Sequence, residues 1–311
     1  MLSRRNIRVK VMQMLYSASR DSAITYNEIR KQYTDNIQHS YELYLFNLLY
    51  LTKIAEYAVH DGVKRKAKHL PSPVDKIFTD KLFSNELVQA LLIRSNLEDY
   101  WVKHDFKKLV DEDIVRQMYQ AFSKKEIYQK YILNTNPTNE EHKQVLLEIF
   151  KVCMDSEVYD EIMSDLFWSW DDDRSLIIGT MKKTIKALPG KPDFFEKNKP
   201  DEEATMDFGE QLLRYVFEKD VELLGVIEPT LKNWDADRVA VMDMIILKMA
   251  LCELTLFPSI PTKVTLNEFV EVAKMYSTDR SKDFINGILD RLMKQLNKDG
   301  KINKEGRGLI G

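Results

Sequence analysis

Apolar residues recur along this chain at intervals of three and four, and two stretches are apolar on nearly every side. Tyr41 to His60 (YELYLFNLLYLTKIAEYAVH) and Val239 to Leu254 (VAVMDMIILKMALCEL) leave almost no polar face for water, so each predicts a helix buried on more than one side. At about 100° per residue, Ile7, Val11, Met14 and Ala18 share one face of a first helix, and Arg5, Arg8 and Tyr16 share another. That helix is expected to pack along one side and to expose its arginines on the other. Near the C-terminus, Thr265 and Glu268 have the spacing of a capping box ahead of the series Leu266, Phe269, Val270, Ala273 and Tyr276. A second series, Ile285, Ile288, Leu289, Leu292 and Leu296, follows Ser277-Thr278-Asp279. It carries Asn286-Gly287 in its interior. Glycine there costs about 1 kcal/mol against alanine, which predicts close approach by another backbone or a ligand.

Weaker helical patterns run from Asn85 to Val102, Phe106 to Leu133, Asn139 to Trp168 and Asp172 to Leu188. Pro71-Ser72-Pro73 breaks the chain, and Leu188-Pro189-Gly190-Lys191-Pro192 reads as a linker. No stretch alternates as a strand does, and only 10 Gly and 9 Pro are spread over 311 residues, so the fold class is all-α.

With 44% hydrophobic and 31% charged residues the chain can bury a sizeable core. Its two cysteines, Cys153 and Cys252, lie in apolar helical stretches and are expected to be buried thiols. No apolar run has the length of a membrane span, and the first arginines precede no apolar signal region, so a cytoplasmic protein without membrane contact is expected. The net charge is −3, yet the first twenty residues hold Arg4, Arg5, Arg8, Lys10 and Arg20 and no acid. The basic charge is therefore concentrated.

Candidate catalytic chemistry is thin. The acids around Trp168-Ser169-Trp170-Asp171-Asp172-Asp173 sit at a helix start, where they favour the helix dipole, and adjacent acids do not converge on a metal as ligands must. The five histidines lack metal-ligand spacing, and neither a nucleophile motif nor a phosphate-binding glycine loop is present. No enzyme, cofactor or metal is expected.

Two motifs add an identity. Ile260-Pro261, Lys263-Val264, Asn267-Glu268, Glu271 and Ala273-Lys274, followed by Ser281 and Phe284-Ile285-Asn286-Gly287-Ile288-Leu289-Asp290, resemble the NusB family of transcription antitermination factors. The arginines ahead of Gln13, Leu15 and Tyr16 resemble the opening helix of the same family. The resemblance implies a NusB-like helical bundle with an additional central region. Its parts would be an N-terminal RNA-binding helix (1–21), a central helical insertion (22–200), a C-terminal bundle (201–298) and a flexible basic tail (299–311). Both ends of the insertion would be held by one bundle, so the insertion is expected to pack its aromatic-rich helix against that bundle.

By the same resemblance the chain would be a noncatalytic RNA-binding factor. It would pair with ribosomal protein NusE on single-stranded, boxA-like nascent RNA and join an RNA polymerase antitermination complex, notably during ribosomal RNA transcription. Arg4, Arg5 and Arg8 would hold phosphates through their forked guanidinium groups, and Tyr16 and Phe284 would lie near bases. Lys282 and Asn286 would complete the RNA surface, and Asp243 and Asp237 would face basic groups of NusE. Arg280 and Asp283 depart from the family pattern, which commonly has an acid and a base there. Two other readings compete. One is an interaction scaffold that has lost RNA binding, separable by an RNA titration. The other is an accessory RNA-modification protein, since the fold also occurs fused to RNA methyltransferases; S-adenosylmethionine-dependent methyl transfer would reveal it.

Overall fold

The computed structural model describes residues 1–21, 23–92, 96–191, 193–231, 236–278 and 280–305, with only the backbone of Asp237. Among these residues there are helices and turns and no strand. The chain divides into two compact units, one formed by Met1 and Gln38–Lys199, the other by Leu2–Ile37 and Pro200–Gly311. Helix α1 is Arg4–Ala18, and α2 is Tyr26–Lys66, with residues in both units.

Helix α2 is far longer than the apolar stretch Tyr41 to His60 predicts. It starts at a capping box, in which Thr25 N and Oγ1 donate to Glu28 at 2.8 and 2.7 Å. Its last turn carries Lys64, Arg65 and Lys66, cations that suit the negative end of the helix dipole.

The unit from Gln38 to Lys199 continues with α3 (Pro73–Ile77), α4 (Lys81–Ser84), α5 (Glu86–Leu92), α6 (Leu97–Lys103), α7 (Phe106–Leu109), α8 (Glu112–Ser123), α9 (Glu126–Leu133), α10 (Asn139–Met154), α11 (Glu157–Leu166) and α12 (Trp170–Ala187). These helices close around α2. Phe46 meets Phe106 and Phe167 edge-on or tilted at 5.6 and 5.2 Å, and Trp101 Nε1 donates to the Leu45 carbonyl at 3.0 Å. Tyr159 donates to Asn47 Oδ1, so these two polar groups of the core partner each other. The faces of Tyr41 to His60 expected to need the C-terminal bundle are thus covered within their own unit. The supposed linker also belongs to this unit: Leu188 and Phe195 are both buried in its core, and Pro192 lies outside the described residues. Apolar anchors on either side of the Pro-Gly break hold it down. In the first turn of α12, Asp173 accepts from Ser40 Oγ at 2.7 Å and so ties this helix to α2.

In the second unit, α1 and the start of α2 are joined by a π-helix at Glu203–Glu210, then α13 (Gln211–Glu218), α14 (Asp220–Ile227), α15 (Val241–Leu256), α16 (Thr262–Tyr276) and α17 (Ser281–Lys298). As its all-round apolar pattern predicts, α15 is the hub, packing against α1, α13, α14, α16 and α17. Ile7 and Val11 of α1, Phe269 and Val272 of α16, and Ile285 and Leu289 of α17 are all fully buried around it. The π-helix is held where Tyr33 donates to the Thr205 carbonyl at 2.8 Å. Gly209 is required there, because a Cβ at that position would overlap the Tyr33 hydroxyl and crowd Ile7.

The tail expected to be flexible is held as far as it is described. Lys304 Nζ donates to the carbonyls of Glu253 and Phe257, both at 2.9 Å, and Glu305 N donates to the Pro258 carbonyl. A cation there satisfies carbonyls that the end of α15 leaves without helical partners. Residues 306–311 lie outside the described residues. Both cysteines are buried and free, and burial pushes both thiols up, Cys252 to about 12. No helix among the described residues is long and apolar enough to cross a membrane.

Candidate nucleic-acid and partner surfaces

Helix α1 begins at Ser3, whose side chain and that of Asn6 cap each other's backbone. This start sets Arg4, Arg5 and Arg8 along a cleft of ≈ 450 Å³ whose other wall is Ile260, Pro261, Val264 and Glu268. The three arginines behave differently. Arg4 is half-buried, lies 5.7 Å from the Phe208 ring centre and pairs with Glu203 at 2.9 Å. Arg5 presents its fork to Glu268, with Nε and Nη2 donating at 2.8 and 2.7 Å, and remains 47% exposed. That pairing raises the Arg5 pKa and lowers that of Glu268.

Arg8 is buried, contrary to the exposed flank expected of it. Its Nε and Nη2 donate to the two oxygens of Glu253, both at 2.7 Å, with exposures of only 2% and 0% for the two side chains. The guanidinium also lies 5.2 and 5.7 Å from the ring centres of Phe208 and Phe269. Thr265 Oγ1 donates to the same Glu253 at 2.7 Å. The expected Thr265–Glu268 capping box is therefore absent. Helix α16 starts four residues earlier, with Pro261 at its N-cap, and each of the two side chains serves an arginine network instead. Lys10 is buried too, donating to Asn36 Oδ1 at 2.6 Å. The basic charge of the first helix is thus largely matched by acids and amides from distant parts of the chain.

Tyr16 does not line this cleft. It is half-buried, its hydroxyl accepts from Arg20 Nη2 at 2.7 Å, and the Arg20 guanidinium stands 4.9 Å from its ring centre.

A second groove, of ≈ 650 Å³, gathers Arg238, Asp243, Arg280, Ser281, Phe284 and Gly287. Asp243 is buried, and its carboxylate accepts from Ser277 Oγ at 2.5 Å and Ser281 Oγ at 2.8 Å. The basic or surface partner expected for it is replaced by two hydroxyls that tie the α16–α17 connection to α15. Phe284 is half-buried, and Arg280 is exposed. The close approach expected at Gly287 is absent, since a Cβ there would meet nothing within 4 Å. The glycine opens onto the groove. Lys282 and Asn286 are exposed on α17 but do not line the groove, and the side chain of Asp237 lies outside the described residues. No group of three or more His, Cys, Asp or Glu among the described residues could hold a metal ion.

Neither Glu253 nor Phe208 had been singled out from the sequence as a site residue. An acid inside an apolar helix is the local signal for Glu253, and nothing local marks Phe208.

The NusB family model matches residues 180–294. A protein of Salinibacter ruber named transcription antitermination protein NusB is 41% identical over 111 residues, which is 36% of this chain and 69% of that protein. The chain belongs to the NusB family. Relatives of the same name come from Chloroherpeton thalassium, 41% identical over 78 residues (25% of this chain, 37% of the relative), and Natranaerobius thermophilus, 49% identical over 72 residues (23% and 52%). The matches to these two cover about a third to a half of their length. No solved structure matches the chain. Family membership covers the region from the end of α12 to α17, and most of Gln38–Lys199 lies outside the family match.

Proposed function

We propose that this protein is a cytoplasmic, noncatalytic, RNA-binding transcription antitermination factor that pairs with ribosomal protein NusE on boxA-like nascent RNA. The observation that carries this reading is the α1 cleft in a NusB-family chain: Arg4 and Arg5 line it with partly exposed side chains, while Arg8 beside them is committed to Glu253. Exposed guanidinium forks suit phosphate, and an ion pair at the surface is weak enough to be exchanged for one. Arg8 is then a support and not a phosphate ligand. In the second groove, Phe284 offers a ring face for a base, with Lys282 and Asn286 alongside on α17. Asp243 contributes by fixing Ser277 and Ser281, which presents Arg280 to the partner. Two modest RNA surfaces, one here and one on NusE, gain affinity when joined because the second contact becomes intramolecular.

The test is a fluorescence-anisotropy titration of the full chain, with and without NusE from its own organism, using boxA-like and scrambled RNA. Tighter binding of the boxA-like RNA, increased by NusE, is the expected result. Equal affinity for both RNAs with NusE present would sink the reading.

A further inference from the structure

Residues 201–210, Asp-Glu-Glu-Ala-Thr-Met-Asp-Phe-Gly-Glu, hold five carboxylates and no base, and their π-helix packs directly on α1, the helix that carries the arginines. Most of this segment is explained by packing. Phe208 is buried and meets the Phe257 ring at 5.2 Å, the Thr205 carbonyl accepts from Tyr33, and Gly209 lies close against Tyr33 and Ile7. Asp201 starts the helix: its carboxylate accepts from Ala204 N and its carbonyl from Thr205 N, both at 2.9 Å. Glu210 accepts from Arg30 Nε at 2.6 Å, which ties the far end of the π-helix to α2. Glu203 has no such part in the fold. Its side chain is 73% exposed, and its pair with Arg4 is of the exposed kind that contributes little to stability.

What Glu203 does is occupy Arg4. The Arg4 guanidinium stands 5.7 Å from the Phe208 ring centre and donates through Nη2 to Glu203 at 2.9 Å, so one stretch of chain both places the cation and neutralises it. Arg5 gives two nitrogens to Glu268, and Arg8 gives two to Glu253. Arg4 uses one nitrogen only, towards a carboxylate that stands in water. This is the pair that a phosphate, which can take both prongs of the guanidinium fork, displaces most readily. The anchors at Tyr33, Phe208 and Arg30 hold the π-helix in place meanwhile, so the exchange asks only for a rotation of the Glu203 side chain.

We propose that Glu203 is an autoinhibitory contact: its carboxylate covers Arg4 while the cleft is empty and turns out into water when an RNA phosphate takes the guanidinium. The inference rests on the reading that the α1 cleft binds RNA, and it adds a regulation of that same site. The competitor answers charge and not sequence, so it lowers the affinity of every strand alike. Strands held by charge alone are thereby kept from binding at concentrations where a strand with sequence contacts still binds.

The experiment compares wild type, Glu203→Gln, Glu202→Gln, Arg4→Ala and Arg4→Ala/Glu203→Gln, all in the full chain, by anisotropy titration at low salt with short boxA-like and scrambled RNA; circular dichroism checks that each folds. Glu203→Gln keeps the size of the side chain and removes its charge, and it should bind both RNAs about two- to fivefold more tightly. The gain should fade as salt is raised, since salt screens an exposed pair. It should also vanish in the Arg4→Ala background, where Glu203 has no arginine to withhold. Glu202 is exposed and pairs with no arginine among the described residues, so Glu202→Gln should change the affinity far less. The proposal is overturned if Glu203→Gln binds no more tightly than wild type, if the gain persists without Arg4, or if Glu202→Gln matches it. RNA binding by neither wild type nor Glu203→Gln would overturn it together with the reading of the cleft. Equal binding of the two RNAs with the gain intact would support the contact and count only against the boxA preference.

Discussion

Arg5 and Arg8, one helical turn apart, do opposite work because of what faces them. Glu253 has no exposure, so removing Arg8 would leave a buried charge without compensation, at a cost of about 3–5 kcal/mol. Arg8→Ala should therefore lower the unfolding midpoint in urea strongly, and any loss of RNA binding should follow the loss of folded protein. A variant as stable as wild type would show that Glu253 is not dependent on Arg8. Arg5 is half-exposed, and its Glu268 partner is the group a phosphate must displace. In the free chain the Arg5 hydrogen bond holds Glu268 below its ordinary 4.5. A depressed carboxyl contributes stability that is present above that ordinary value and is lost as pH falls through the folded value. Once RNA takes Arg5, Glu268 loses its donor, its pKa rises, and the complex takes up a proton. RNA affinity should then increase as the pH falls towards 4.5 and below, and Glu268→Gln should bind more tightly at neutral pH and lose that component. Anisotropy titrations across this range check it; identical pH profiles for the two proteins would rule out carboxylate exchange.

Among the elements, α15 was the most readable and the segments touching it the least. Val239 to Leu254 is apolar on every side, and a hub helix is what that pattern demands. Helix α17 follows its apolar series, with Ile285, Ile288, Leu289, Leu292 and Leu296 all buried. A helical wheel drawn for α1 alone put Arg8 with Arg5, because no local pattern reveals that Glu253, remote in sequence, waits on the buried side. The first turns of α2 were legible and went unread: Thr25 and Glu28 have capping-box spacing, and Tyr26, Ile29, Tyr33 and Ile37 recur at three and four, though the polar residues between them make the run look like a connection. The π-helix at Glu203–Glu210 depends on Tyr33 and Gly209 meeting in space. The basic tail after α17 is expected to be flexible, yet Lys304 caps the end of α15. Lys304→Met should remove two charge-assisted hydrogen bonds, worth about 1.5–3 kcal/mol each at most, and free the segment after α17. Limited proteolysis should then cut the variant between Asp299 and Glu305 at protease levels that leave wild type intact there; equal cleavage of the two would mean that the cap does not hold the tail.

At the scale of the whole molecule, the chain leaves the family-like unit at Ile37 and returns to it at Pro200. Everything between has its own core, built on Phe46, Trp101 and Phe167. If that unit unfolds, its residues become a long loop joining two parts that remain folded. The entropic cost of such a loop rises only slowly with length, about 0.6 kcal/mol for each doubling, so the family-like unit is not greatly weakened. Its own hold on α2 persists through Ile29 and Tyr33, both fully buried. A chain with two cores joined in this way should depart from two-state unfolding. Calorimetry should show two transitions. Trp101→Ala removes a fully buried indole and its hydrogen bond to the Leu45 carbonyl, at a cost of about 3–5 kcal/mol, and should lower only one of them. Between the two midpoints the variant should still bind short boxA-like RNA through the α1 cleft. One transition that shifts as a whole in the variant, with RNA binding lost along with it, would show that the inserted unit and the family-like unit fold as one.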